Sequence, residues 1–142
     1  MPPDEEPVEE VRSWLTIVHK DLQRARKDLK FPPVDPDSAL FHCQQAIEKA
    51  MKAFLAWHRQ PFRKTHDLRA LGDQCVSLDG TLDPLADKVS TLTPDAVQYR
   101  YPFDLAAPTA DQAEEAIALA SEFVNAIVTR LPEEAHVKPQ SP

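Results

Sequence analysis

The sequence predicts an all-α protein, an up-and-down helical bundle of three long helices plus one or two short ones. The 142 residues include only 2 Gly against 14 Pro. Tight hairpin turns and phosphate-binding loops depend on glycine, so this composition disfavours a β-sandwich, a dinucleotide-binding fold and a Walker-type loop. With 42% hydrophobic residues the chain can build one core, and its apolar residues recur at helical spacing.

The first two predicted helices are long and end at prolines. The first runs from about Val8 to Lys30 and is stopped by Pro32-Pro33. The second opens with Asp35 as N-cap and Pro36 at the first helical position, and it continues through Trp57. Their apolar stripes are Val11, Trp14, Leu15, Val18, Leu22, Ala25 and Leu29 in the first, and Leu40, Ile47, Ala50, Met51, Phe54 and Leu55 in the second.

Two short helices and one long helix complete the prediction. The third runs from about His66 to Val76 with Thr65 as its cap, and the fourth starts with Asp83 as cap and is closed by Pro94. Residues 95–107 are predicted to be irregular. The last helix follows a capping box, Thr109 with Gln112, and reaches Leu131.

The predicted domain organisation is a single helical domain over residues 8–131, between a disordered acidic tail at 1–7 and a disordered tail at 132–142. The chain shows neither a signal peptide nor a membrane-length apolar run, and Cys43 and Cys75 have no metal-type spacing. We therefore expect a cytoplasmic protein with free thiols, no metal, no other cofactor and no membrane contact.

The net charge of −7 is unevenly distributed. Residues 1–10 carry −5, residues 11–71 carry +6 from 12 basic and 6 acidic side chains, and residues 72–142 carry −8. The oppositely charged halves, residues 11–71 and 72–142, could pair within the bundle or between subunits. Alternatively, the basic half meets phosphate groups of a ligand.

Three short strings carry the candidate chemistry. In the second helix, Gln44, Glu48 and Lys52 stack at four-residue spacing, as do Gln45 and Lys49. These are typical helix-surface pairs, but amides and ammonium groups on one face can also hold a nucleotide base and phosphate. The second string is Lys64-Thr65-His66-Asp67-Leu68, which is either a helix cap or an anion-binding site at a helix N-terminus. The third string is Tyr99-Arg100-Tyr101-Pro102. It is either a loop that its rings hold against the bundle or a site where the Arg100 guanidinium stacks between two tyrosine rings.

The three strings in this order, followed by an Ala-rich final helix, resemble the HEPN domain family over residues 8–131. The resemblance implies a small helical bundle, a homodimer, and association with nucleotides or RNA. It also implies a small nucleotidyltransferase partner in a toxin–antitoxin-like module. The ligand-binding candidates are Gln44, Gln45, Lys49, Lys52, Lys64, His66, Tyr99, Arg100 and Tyr101.

Ribonuclease members of that family carry an Arg and, four to six residues later, a His near the start of the final helix. No His follows Arg100 in that window. Three hypotheses therefore stay open: a binding module for nucleotide, RNA or a nucleotidyltransferase; a metal-independent RNase toxin with Arg100 and His66 as catalytic candidates; and a structural dimeric bundle without ligand.

Overall fold

The structure is a computed structural model that describes residues 5–62, 64–92 and 107–137. Over these ranges the chain forms five α-helices and no strand, which confirms the predicted all-α bundle. The helices are α1 (Glu5–Lys30), α2 (Pro36–Trp57), α3 (Leu68–Leu78), α4 (Asp83–Ser90) and α5 (Ala110–Thr129), with 3₁₀ turns at Gly80–Leu82 and Glu133–Ala135.

The centre of the bundle is α2, which contacts α1, α3 and α5. It runs antiparallel to α1: His42 Nδ1 lies 2.9 Å from Asp21 Oδ1, and the Asp35 amide donates to the Asp28 carbonyl at 2.8 Å. Because most residues of α2 are buried, this helix lies in the interior of the bundle.

No helix in the described ranges is long and apolar enough to cross a lipid bilayer. The largest fully buried side chains include Leu15, Ile47, Met51, Phe54, Leu55, Leu71, Phe123 and Ile127.

Two of the predicted caps are confirmed. Asp35 Oδ1 accepts a hydrogen bond from the Ser38 amide at 3.1 Å at the start of α2. At the start of α5, Thr109 Oγ1 accepts from the Gln112 amide at 3.1 Å, and Gln112 Oε1 accepts from the Thr109 amide at 3.0 Å. The capping box therefore fixes where the final helix begins.

The predicted starts of the two short helices are wrong by one or two residues. The N-cap of α3 is Asp67, whose carboxylate accepts from the Arg69 amide at 3.0 Å, and α3 begins at Leu68. Thr65 instead accepts from the Asp67 amide in the preceding loop. His66 therefore lies before the helix and not in its first turn. For α4, Asp83 is the first helical residue and not the cap.

The packed chain extends beyond residues 8–131 at both ends. The first helix begins at Glu5, and Pro7 in its first turn is buried. After α5, the Glu133–Ala135 turn packs against α1, and Ala135 is fully buried. His136 Nε2 lies 2.8 Å from the Val128 carbonyl and 3.1 Å from that of Leu131, so it caps the end of α5.

Gly72 lies inside α3 without a positive φ that would require glycine. A Cβ at this position would stand 3.4 Å from Met51 Cε and 3.6 Å from Ala86 Cβ, which is ordinary contact distance. We expect Gly72→Ala to raise the free energy of unfolding by about 0.5–1 kcal/mol, because alanine favours the helix and restricts the unfolded chain. Urea unfolding measures this, and a lower stability would show that Met51 and Ala86 cannot accept the methyl group.

Candidate functional site

A buried carboxylate on α2 gathers three nitrogen groups. The Glu48 side chain is 1% exposed. Its Oε2 accepts from Lys49 Nζ and from Lys52 Nζ, both at 3.0 Å, and its Oε1 lies 2.8 Å from His66 Nδ1. We call Glu48, Lys49, Lys52 and His66 the Glu48 cluster.

Local structure explains how these side chains meet. Lys52 follows Glu48 by one helical turn, and Lys49 is the next residue, whose ammonium group also donates to Gln45 Oε1 at 3.0 Å. His66 comes from the connection between α2 and α3, 18 residues further along the chain. Since α3 begins only at Leu68, the backbone at His66 is not helical and the ring reaches back to α2.

The electrostatics of the cluster leave a positive excess. Burial alone would raise the pKa of Glu48, but the hydrogen bonds from His66, Lys49 and Lys52 outweigh it and hold the pKa below the ordinary value of 4.5. Glu48 is therefore ionised at neutral pH and neutralises one of two ammonium groups. Because an ionised carboxylate only accepts hydrogen bonds, the His66 nitrogen that faces it carries the proton.

Two aromatic rings and two unpartnered donors adjoin the cluster. Lys52 Nζ lies 5.8 Å from the centroid of the Trp14 ring and 5.7 Å from that of Phe62, and the two rings meet edge to face. Among the described residues, buried Trp14 Nε1 has no hydrogen-bond partner. The same holds for Nε2 of Gln44, which precedes Glu48 by one turn of α2. The surroundings of the cluster are therefore rich in N–H donors.

The structure places the predicted site residues as follows. Lys49, Lys52 and His66 converge on Glu48, and Gln45 joins them through Lys49. Gln44 is buried. Lys64 is exposed and is not among the groups that hydrogen-bond to Glu48. Tyr99, Arg100 and Tyr101 lie outside the described residues.

Sequence reasoning missed the residue at the centre of the cluster. Glu48 stands in the four-residue stack with Gln44 and Lys52, but it was not predicted to be a site residue. The signal available was a single carboxylate between amides and lysines on a helix that also carries the core stripe. Trp14 and Phe62 were likewise not singled out as neighbours of the site.

The two cysteines are unsuited to nucleophilic chemistry. Burial raises the pKa of Cys43 to about 12, with Arg26 opposing, and burial raises the pKa of Cys75 to about 12. Both therefore stay protonated at neutral pH, whereas the thiolate is the reactive form. Within residues 5–62, 64–92 and 107–137, no three His, Cys, Asp or Glu side chains come together as a metal ion would require.

The fold and the cluster define a small helical protein with a polar, nitrogen-rich site on its central helix. The model of the HEPN domain family matches residues 11–131, so the chain belongs to the HEPN domain family. Comparisons with curated proteins and with solved structures give no match. Family membership supports a nucleotide- or RNA-related module in general.

Proposed function

We propose that the protein binds the phosphate groups of a nucleotide or an RNA at the Glu48 cluster. The observation that carries the proposal is the convergence of two ammonium groups and one imidazole on a single buried carboxylate. One negative charge cannot neutralise both lysines, so a site with this composition favours an incoming anion.

The ammonium groups of the cluster are held in place and still have N–H donors available for a ligand. An ammonium group has three N–H donors, of which Lys49 uses two and Lys52 one in the bonds described above. The lysine side chains are 18% and 12% exposed, and His66 is 73% exposed. Glu48 thus orders long side chains before a ligand arrives, which reduces the entropy lost on binding.

Lys49→Ala tests the binding function. We expect this change to weaken the binding of a fluorescent single-stranded RNA, and of ATP as competitor, by about ten-fold, since one charge-assisted contact is lost. Anisotropy titrations at low and high salt measure it, and affinity should fall as salt rises. The matched control is Lys88→Ala, an exposed lysine on α4.

Equal affinities of the Lys49 and Lys88 variants would contradict the proposed site. Arg100→Ala belongs in the same series, because the sequence makes Arg100 a candidate ligand residue. We expect that change to weaken binding more than it lowers the free energy of unfolding. Equal loss of both would mean that Arg100 supports the fold and does not contact a ligand.

A second candidate function, metal-independent RNA cleavage, is favoured by the contact between His66 and Glu48. With its protonated nitrogen on Glu48, a neutral His66 has an acceptor nitrogen on the exposed side of the ring. That nitrogen would take the proton of a ribose 2′-hydroxyl, whose oxygen attacks the adjacent phosphorus. The 5′-oxygen then leaves and is protonated by water, while the lysines stabilise the charge on the phosphate.

Cleavage of a single-stranded RNA in EDTA-containing buffer tests this candidate. The products should carry 2′,3′-cyclic phosphate ends, and a 2′-deoxy substitution at the cleaved position should block the reaction. We expect His66→Ala to lower the rate about 100-fold or more, as loss of a proton-transfer group does. His58→Ala is the control for an exposed histidine. If the wild-type protein leaves RNA intact, this candidate is rejected and the binding proposal stands.

We further propose that the protein is a homodimer that associates with a small nucleotidyltransferase in a toxin–antitoxin-like module. The HEPN resemblance supports this assignment, and the Glu48 cluster does not depend on it. Light scattering on the purified chain measures the oligomeric state. Co-expression with any nucleotidyltransferase encoded beside the gene, followed by pull-down, tests the partner, and the absence of a complex would reject it.

A further inference from the structure

One face of α1 lies outside the bundle and repeats at the spacing of a coiled-coil seam. Its residues follow one another at alternating steps of three and four positions, and they are Ile17, Lys20, Arg24, Lys27 and Phe31. All five are exposed, Ile17 by 41% and Phe31 by 56%. The Phe31 amide donates to the Lys27 carbonyl at 3.1 Å, so the helical spacing continues to Phe31. We call these five residues the α1 seam.

The three inner residues of the seam are cations without acidic partners. None of Lys20, Arg24 and Lys27 forms an ion pair with a side chain in the described part of the chain. Because they are neighbours on one helix face, their like charges repel one another. Glu10 continues the same spacing two turns before Ile17, so the cationic section of the seam ends at Ile17.

The acidic side chains nearest to the seam lie on other sides of α1. Asp21 and Asp28 are half-buried and seven residues apart, on the side where Asp21 is bonded to a histidine of α2. Glu114 of α5 adjoins Arg26 and Lys30 in a concavity between α1 and α5. These carboxylates therefore lie where α1 packs against the bundle, and the seam faces away from both packed sides.

We propose that the α1 seam binds an acidic amphipathic helix of a partner protein. A face with this repeat keeps a second helix in register along its whole length. The three cations meet carboxylates of the partner helix, while Ile17 and Phe31 contact apolar side chains at its two ends. The seam covers two heptads, or about 21 Å of helix. It shares no residue with the Glu48 cluster, so the proposal does not depend on that site.

Two other occupants match the seam less well. A nucleic-acid backbone would meet the cations but would leave Ile17 and Phe31 without apolar partners. A second copy of the chain offers an acidic face on α5, where the exposed carboxylates are those of Asp111, Glu115 and Glu122. No large apolar side chain is exposed anywhere on α5, which the structure describes in full. A partner helix that carries both acidic and apolar residues therefore complements the seam best.

A synthetic helical peptide of about 25 residues, long enough to form a helix in water, is the probe. It has leucine at the two outer seam positions and glutamate at the three inner ones, on a background of alanine and glutamine. We expect it to bind the wild-type protein in a calorimetric titration, and Arg24→Glu to weaken the binding by about ten-fold or more. Arg12→Glu makes the same charge change at an exposed position of α1 outside the seam, and it should alter affinity by no more than about two-fold.

Stability measurements and a charge exchange separate direct pairing from damage to the fold. In Arg24→Glu the new carboxylate lies beside Lys20 and Lys27, so urea unfolding should show a protein no less stable than the wild type. A peptide with lysine at the three inner positions should bind the triple variant Lys20→Glu, Arg24→Glu, Lys27→Glu at least about ten-fold more tightly than it binds the wild type.

Four outcomes would overturn the docking surface. The first is no binding of the acidic peptide to the wild-type protein, and the second is equal affinity of the Arg24 and Arg12 variants. The third is loss of single-stranded RNA binding in Arg24→Glu with peptide binding unchanged, which would assign the seam to nucleic acid. The fourth is a dimer in light scattering that Arg24→Glu dissociates, which would assign it to a second copy of the chain.

Discussion

Glu48→Gln is expected to lower the free energy of unfolding by about 2–3 kcal/mol at pH 7. Removal of one partner from a fully buried ion pair costs about 3–5 kcal/mol. Here the effect is smaller because Lys49 and Lys52 are 18% and 12% exposed and their ammonium groups can turn toward water. Glutamine keeps the size of the side chain but loses the charge that orders both lysines and His66. Urea unfolding of the variant and of the wild type gives the difference.

The pH dependence of that difference identifies its cause. The pKa of Glu48 in the folded protein lies below the ordinary value of 4.5, so the carboxylate stabilises the fold above about that pH. This contribution is lost as the pH falls through the folded-state pKa, whereas glutamine does not titrate. The two unfolding free energies should therefore converge as the pH is lowered below 4.5.

Glu115→Gln is the control, because Glu115 is exposed on α5. It should change stability by no more than about 0.5 kcal/mol at pH 7, as substitutions at exposed positions do. A Glu48 effect that persists unchanged into the acid range would mean that packing, and not the charge of the carboxylate, is responsible. An equal effect of both substitutions would show that Glu48 is not a special position.

The parts of the fold that depend on local chemistry could be predicted from the sequence. The caps at Asp35 and at Thr109 with Gln112 combine a short acceptor side chain with the residues that follow it, and both were found as predicted. The start of α3 was missed because Thr65 and Asp67 are both good cap residues two positions apart. Only the structure shows that the carboxylate of Asp67 accepts from the Arg69 amide in the first turn of α3, whereas the hydroxyl of Thr65 accepts from the Asp67 amide in the preceding loop.

The candidate site depends on contacts between distant parts of the chain. Lys52 could be placed beside Glu48 from helical spacing alone, since it follows by one turn. Lys49 was paired with Gln45 by that spacing, and its contact with the neighbouring Glu48 is seen only in the structure. His66 reaches Glu48 from a loop whose path the sequence does not define. Contacts between α1 and α5 are less predictable still. The basic character of α1 is visible in the sequence, but which residues of α5 face it is not, as the hydrogen bond between Arg26 and Ser121, 95 residues apart, shows.

Gln44→Leu is expected to make the protein more stable and the candidate site weaker. Gln44 is 4% exposed, and in the part of the chain that the structure describes its buried Nε2 has no hydrogen-bond partner. An unsatisfied buried donor costs about 1–3 kcal/mol, and leucine fills a similar volume and favours the helix as well. Urea unfolding should therefore show a free energy of unfolding higher by about 1 kcal/mol or more.

RNA binding measured on the same variant decides what the buried amide is for. A polar group that lowers stability is typically retained where function needs it, so we expect Gln44→Leu to weaken RNA binding by about ten-fold. Gln45→Leu is the matched control: Gln45 is half-buried and bonded to Lys49, and its loss should not raise stability. Higher stability with unchanged RNA affinity would exclude Gln44 from the site. Lower stability would contradict the prediction that the amide is unsatisfied, because removal of a satisfied buried amide is destabilising.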